Sequence, residues 1–273
     1  MSQFSDTIKA AVSDLLLHGY DSQERLQTWL SKLYGAANQS LVPAGMIQSR
    51  LASALSNVYH KQINSDKFLS KHAGVSKFTI EQIKPRLRSE LERRILASAD
   101  LIKMNREASI QRTLHRFAGW ASSIPKGGTK SEKRSEVDKD LRKSFTRLPF
   151  EERRVIIDQG HKLVGAINSI IAEDGGAIAG IWHSHWRETG YDFRPRHKQF
   201  DTRIFVLRNN WAMRDGLMKL AGRFYTDQIE QPAVEIYCRC YYQYLYLLED
   251  LPKDMLTSKG KELLLARGKR HAA

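Results

Sequence analysis

The chain has little cysteine, little proline and no long apolar run. Two cysteines among 273 residues exclude a disulfide framework of the kind that staples small secreted domains. No stretch approaches the roughly 18 apolar residues a membrane-spanning helix needs. The opening Met1-Ser2-Gln3-Phe4-Ser5-Asp6 lacks the basic region and apolar run of a secretory signal. These absences point to a reducing cytoplasm, or a particle assembled there, and to no membrane partner. There is no internal repeat and no low-complexity tract. Also missing are the GxxxxGK[ST] phosphate loop, the GxSxG nucleophile elbow and the HExxH zinc motif, so three common catalytic signatures are not written here.

What the chain does have is positive charge and enough apolar residues for a core. Lys and Arg number 44 against 30 Asp and Glu, a formal net charge of +14. Such a surplus attracts polyanions, nucleic acid above all, although phosphate contacts position a protein without identifying bases. A hydrophobic fraction of 41% and an aromatic fraction of 9% support a packed interior.

Helical periodicity dominates the first two thirds. Ile8, Val12, Leu15, Leu16 and Tyr20 form one stripe of a helix over about 6–20. A second helix is predicted after Asp21, with Asp21 and Glu24 as a capping box and Leu26, Trp29, Leu30 and Leu33 following. Pro43 suits the first position of a third helix carrying Ile47, Leu51, Leu55 and Val58. A long helix follows the capping-box pattern Thr79-Ile80-Glu81-Gln82, with Leu87, Leu91, Ile95, Ile102, Ile110, Leu114 and Phe117, and Pro85 is expected to start or kink it. Its opposite face is read as carrying Arg86, Arg93, Arg94, Lys103, Arg106, Arg112 and Arg116. These are candidate phosphate contacts, or simply a solvated face.

Beyond this helix Pro125-Lys126-Gly127-Gly128 breaks the pattern, and a charged run to Arg147 reads as a linker or frayed helix. A further helix from Pro149 carries Val155, Ile156, Leu163, Val164, Ile167, Ile170 and Ile171 and ends at Gly175-Gly176. After it come short β-branched or tyrosine-rich runs at Ala177–Trp182, Arg203–Arg208 and Ile236–Leu247, which read as strands. The expected fold is α+β, a predominantly helical body with a small mixed β-sheet or hairpin in the C-terminal part. The expected divisions are 1–75, an N-terminal helical region; 76–125, a long basic helix; 126–148, a charged linker; 149–252, the strand-bearing core; and 253–273, a basic C-terminal helix and tail.

Chemistry-bearing residues concentrate in that core. Trp182-His183-Ser184-His185-Trp186 is followed by Arg194-Pro195-Arg196-His197 and later by Pro232 and Cys238-Arg239-Cys240. In a strand, Cys238 and Cys240 would share a side with their Cα atoms about 6.6 Å apart, which disfavours a bridge between them and suits half of a zinc site. His183, His185 and His197 are the nitrogen candidates to complete it. The alternative is small core cysteines with locally bonded histidines. Arg194 and Arg196 could grip a phosphate or carboxylate, or clamp a loop against backbone carbonyls or Asp192. The tyrosines at 237, 241, 242, 244 and 246 could stack bases or form core.

The order Trp182, polar loop, Arg194-Pro195-Arg196-His197, Pro232 and Cys238-Arg239-Cys240 resembles the bacteriophage head morphogenesis domain, the family of phage Mu F-like minor head proteins, over roughly residues 85–250. In this chain His183-Ser184-His185-Trp186-Arg187-Glu188-Thr189-Gly190 stands where the family often has Thr-Ser-Gly-Asp, and Phe200-Asp201 stands where it tends to have an apolar residue and glycine. The resemblance implies a minor structural protein of a tailed phage head, assembled in the host cytoplasm and placed in the virion near the portal. Implied partners are the portal protein, non-specifically bound double-stranded DNA, and the major capsid or scaffolding protein. It implies a structural rather than catalytic role for His197, Cys238 and Cys240, with structural Zn as the conceivable cofactor, and Trp182, Asp192, Pro195, Pro232 and Arg239 as structural motif positions. A rival from the residues alone is a metal-dependent nuclease in which His183, His185 and His197, with Asp192 or Glu188, activate water. A non-structural DNA-binding protein is a third reading.

Overall fold

The computed structural model describes residues 2–64, 71–130 and 134–271. Parts of three expected regions lie outside the described residues: 65–70 of the N-terminal region, 131–133 of the charged linker and 272–273 of the basic tail. The chain divides into two compact units, one formed by 1–52 and 95–156, the other by 53–94 and 157–273. The divisions fall inside three helices, so neither unit is a continuous stretch of sequence.

The first unit is helical. Helix α1 (Ser2–His18) and helix α2 (Gln23–Ser40) bury Phe4, Ile8, Val12, Leu15, Leu33 and Ala37 in one core. Helix α3 (Ala44–Asn64) starts just after Pro43, whose carbonyl accepts from the Met46 and Ile47 amides. Helix α4 (Lys77–Ser123) contributes Ile110, Phe117 and Ala121 to the α1–α2 core. So do Leu141 and Phe145 of helix α5 (Arg134–Thr146) and Leu148 at the start of helix α6 (Leu148–Asp174). The stretch read as a linker is thus largely a helix. Its apolar residues Val137, Leu141 and Phe145 repeat every fourth position, enough for one buried stripe in a charged segment.

Other local readings need correction. Ser22, not Asp21, caps α2: its side chain accepts from the Arg25 amide, while Asp21 accepts from Arg25 Nε at 2.9 Å. Helix α4 starts neither at Pro85 nor at Thr79. Ser76 Oγ accepts the Thr79 amide, and Pro85 lies inside the helix, where it leaves one carbonyl without its usual donor. Its cations do not share a face. A step of about 100° per residue puts Lys103 and Arg112, nine positions apart, on opposite sides of the axis.

The second unit holds the sheet. Strand β1 (Ala179–His183) lies between β2 (Ile204–Val206) and β3 (Tyr241–Leu245), antiparallel to both, in the order β2-β1-β3. The fold is thus α+β and predominantly helical with a small sheet in the C-terminal part, as expected; its three strands pair antiparallel, and Val206 adds a parallel bridge to Tyr225. Ala179 faces Val206 on one side and Leu245 on the other, and Trp182 faces Tyr242. Being central, β1 is paired along both edges, and both of its faces are covered. Ala179, Val206 and Leu245 pack with Ile178, Met218, Leu248 and Met255 on one side. Trp182, Phe205 and Tyr242 pack with Cys238 and Cys240 on the other. Gly180 makes this possible, since a Cβ there would meet the Tyr242 ring at 3.0 Å. Short helices α7 (Pro195–Phe200) and α8 (Trp211–Arg214) and the terminal helix α9 (Ser258–His271) complete the unit. Among the described residues no helix is long and apolar enough to cross a membrane.

Candidate metal centre

Three pieces of chain meet on the Trp182 face of the sheet. Proline at the first position of α7 starts that helix and sets His197 within its first turn, where it is buried. The His197 ring stands edge-on to Trp182, centroids 5.2 Å apart. Its Nδ1 lies 3.5 Å from Cys238 Sγ and 3.5 Å from Cys240 Sγ. Both cysteines are buried and unbridged. Cys240 Sγ also lies 3.8 Å from Ser184 Oγ, in the loop that leaves β1.

The cysteines sit in the segment just before β3, not within the strand, and their approach depends on how that segment is held. Ala233 and Tyr237 adopt positive φ, 66° and 61°, bends that cost non-glycine residues free energy unless the surroundings fix them. Asp158 of α6 accepts the Tyr237 amide at 2.6 Å and pairs with Lys162 at 2.9 Å. The Tyr191 hydroxyl donates to the Tyr237 carbonyl and accepts from the Arg239 amide, each at 3.2 Å. Arg194 donates to the Ile236 carbonyl at 2.8 Å and forms an ion pair with Glu235. Glu235 in turn lies 3.5 Å from His197 Nε2, so the imidazole has sulfur on one nitrogen and carboxylate on the other.

The two thiols share a proton unequally. A hydrogen bond from Cys240 favours the Cys238 thiolate, as do the Cys240 and Ala233 amides, so Cys238 is held well below the usual thiol range. Cys240, as donor to a neighbouring thiolate and buried, is pushed well above it. Asp201 is held low, first by the Ser184 amide at 2.9 Å and then by the Trp186 indole at 2.8 Å. It fixes the loop that carries Ser184.

Of the five candidate metal ligands, the structure brings together His197, Cys238 and Cys240. It does not bring His183 or His185 to them. β1 ends at His183, so the two histidines are not in one strand, and strand alternation turns His183 away from the Trp182 face. His183 bonds Gln243 at 3.1 Å and stacks on Tyr241, while His185 pairs with Glu188 at 3.7 Å. The water-activating set of three histidines is therefore not assembled. Among the motif residues Asp192 and Arg196 are exposed, with Arg196 over the Phe200 ring, and Arg239 lies over Tyr191. Sequence reasoning gave no role to Glu235, Asp158, Tyr191 or Ser184. Glu235 stands three residues before Cys238, but a lone carboxylate carries no signal of its own.

The basic residues of α4 are largely engaged. Arg86 pairs with Glu173 and Asp174. Arg93 and Arg94 share Glu90. Arg106 is buried between Glu152 and the Val42 carbonyl, at 2.6 Å from each. Arg112 bonds Ser109, Arg116 reaches the Asp140 carbonyl, and Lys103 is exposed. A cleft of about 620 Å³ in the second unit, beside Arg86, Arg93, Lys162 and Pro232, has its cations paired with Glu90, Asp158, Glu173 and Asp174. Of the five tyrosines read as base-stacking or core, Tyr242 and Tyr246 are buried, and Tyr237 and Tyr241 are exposed. Comparison with protein-family models, curated proteins and solved structures gives no match for this chain.

Proposed function

We propose that the protein is a minor structural head protein of a tailed bacteriophage, associating with the portal during assembly and lying near packaged DNA. The observation that supports this reading is convergence. One residue or more from each motif piece that carries the resemblance, namely Trp182, His197, and Cys238 with Cys240, meets the others in one buried group although the pieces are far apart in sequence. Such a group holds a fold together rather than receiving a substrate, and the cofactor in this reading is a structural zinc ion. The net charge of +14 suits a neighbour of dense phosphate. Portal oligomer, double-stranded DNA without sequence preference, and the major capsid or scaffolding protein are the partners in this reading.

Quantitative mass spectrometry of gradient-purified particles and empty procapsids tests it. The expected result is a low, fixed ratio to the portal. Absence from both kinds of particle, together with failure to co-purify with a portal oligomer, overturns it.

A further inference from the structure

We propose that the protein binds one zinc ion through His197 Nδ1, Cys238 Sγ and Cys240 Sγ, with an oxygen donor beside Ser184 at the fourth vertex and Glu235 as the carboxylate behind the histidine. The inference rests on the reading of this cluster as a structural site, and it names the site's ligand and donor set.

Spacing is the first argument. With Zn–S near 2.3 Å and Zn–N near 2.0–2.1 Å, a tetrahedron has N···S edges of about 3.5 Å. Nδ1 of His197 lies 3.5 Å from each sulfur, so both edges match and a cation fits among the three atoms. A single N–H has one proton for two sulfurs, whereas a cation satisfies both.

The second argument is the arrangement behind the ring. Zinc-bound histidines almost always present their other nitrogen to a carboxylate, carbonyl or water, which fixes the tautomer and raises ligand basicity. His197 Nε2 faces the Glu235 carboxylate at 3.5 Å, and Arg194 holds that carboxylate from the other side. Charge also balances. Two thiolates neutralise the dication, and Glu235 is neutralised by Arg194.

The third argument is preorganisation. The segment carrying the cysteines is held by Asp158, Tyr191 and Arg194, none of them a ligand, so the donors are positioned by the protein itself. Two sulfurs and one imidazole select zinc over magnesium or manganese, which prefer oxygen. The fourth vertex falls to oxygen because Ser184 Oγ lies against Cys240 at 3.8 Å, while His183 and His185 are held by Gln243 and Glu188.

The test uses the full chain, produced with zinc and purified without chelator. Elemental analysis should give about one zinc per chain. X-ray absorption should give two sulfurs near 2.3 Å with nitrogen or oxygen near 2.0–2.1 Å. Cys240→Ser and His197→Gln should each lose stoichiometric zinc, and Glu235→Gln should weaken binding by roughly 10–100-fold. A His183→Asn/His185→Asn double variant should keep full zinc. Because Cys240 is also a core side chain, cobalt titration of the metal-free wild type gives a readout that needs no variant, namely thiolate-to-cobalt absorption with the strong visible bands of a tetrahedral ion. The proposal is overturned if the wild type takes up neither Zn²⁺ nor Co²⁺, if Cys238 and Cys240 are found as a disulfide, or if zinc is lost with His183 and His185 and not with His197. No portal, particle or DNA enters this test. Zinc-free protein in particles would overturn this inference alone, and zinc-bound protein absent from particles would overturn the head-protein reading alone.

Discussion

His72 shows how much one buried side chain can report. It is almost fully enclosed, with Nδ1 2.5 Å from the Tyr246 hydroxyl and Nε2 2.9 Å from Asn168 Oδ1. Asn168 Nδ2 donates to the Val164 carbonyl at 2.9 Å, which turns Oδ1 towards the histidine. A neutral ring with the proton on Nε2 satisfies all these partners. Burial, helped by the charge of Lys71 and opposed by the Asn168 bond, holds its pKa below the ordinary value of 6.5. The unfolded chain therefore binds the proton more readily than the fold does. Stability is complete above about pH 6.5 and declines as pH falls below it. Thermal unfolding of wild type and His72→Gln between pH 8 and 5 checks this: the wild type should lose more on acidification, and parallel curves would refute it. His72 was invisible as a sequence feature, because its partners lie 96 and 174 residues away. The cysteines and His197 were legible because soft ligands are rare and their type alone suggests metal. Glu235 was not, because the chain has 30 acidic residues and only geometry singles one out. His183 and His185 misled because their apparent shared face assumed a strand running on past His183, where β1 ends.

Elements were read best where apolar residues recur over many turns. The helices α1, α3, α4 and α6 were evident from their stripes, whereas α5 was hidden by the charge of its other faces. Ends were harder. Helix α1 stops at a glycine that the sequence does not distinguish from the other sixteen. Gly19 has φ +75°, and a Cβ there would stand 1.9 Å from the Pro125 carbonyl oxygen. The reason is a closure no periodicity could show: Gly127 donates to the His18 carbonyl and Thr129 to the Leu16 carbonyl, both at 3.0 Å, satisfying the open end of α1. Gly119 is the contrast, an exposed position inside α4 with open space around it. Gly19→Ala should destabilise by more than ~2 kcal/mol, combining left-handed strain with a backbone clash. Gly119→Ala should stabilise by about 0.5–1 kcal/mol. Denaturant midpoints with unchanged slope decide both, and equal effects of one sign would contradict the packing described for α1. The strands were found as short apolar runs, but the run around β3 overran it at both ends, because the cysteine segment before it and Tyr246 after it are buried outside the strand.

At the scale of the whole molecule, charge is the property that was clearest in the sequence and most altered by the fold. A surplus of +14 does not mean that each cation is available to an outside polyanion. Arg106 is the extreme case. Buried and bound to Glu152 and the Val42 carbonyl, it cannot reach phosphate without being torn out. Removing one partner of such a pair typically costs about 3–5 kcal/mol. Arg106→Ala should therefore lower stability by a few kcal/mol and leave the salt dependence of DNA binding unchanged. The exposed Lys103 and Arg116 stand at the other extreme. If the proposed contact with packaged DNA uses α4, the affinity for random-sequence duplex falls linearly on a logarithmic salt scale, equally for different sequences. A Lys103→Gln/Arg116→Gln variant then reduces the slope by about 0.9 for each phosphate it no longer neutralises. Fluorescence anisotropy over a salt series, with circular dichroism to confirm folding, measures both arms. A slope that drops with Arg106→Ala in folded protein would contradict its burial. A slope untouched by the exposed pair would move the DNA contact away from this helix and onto other basic surface.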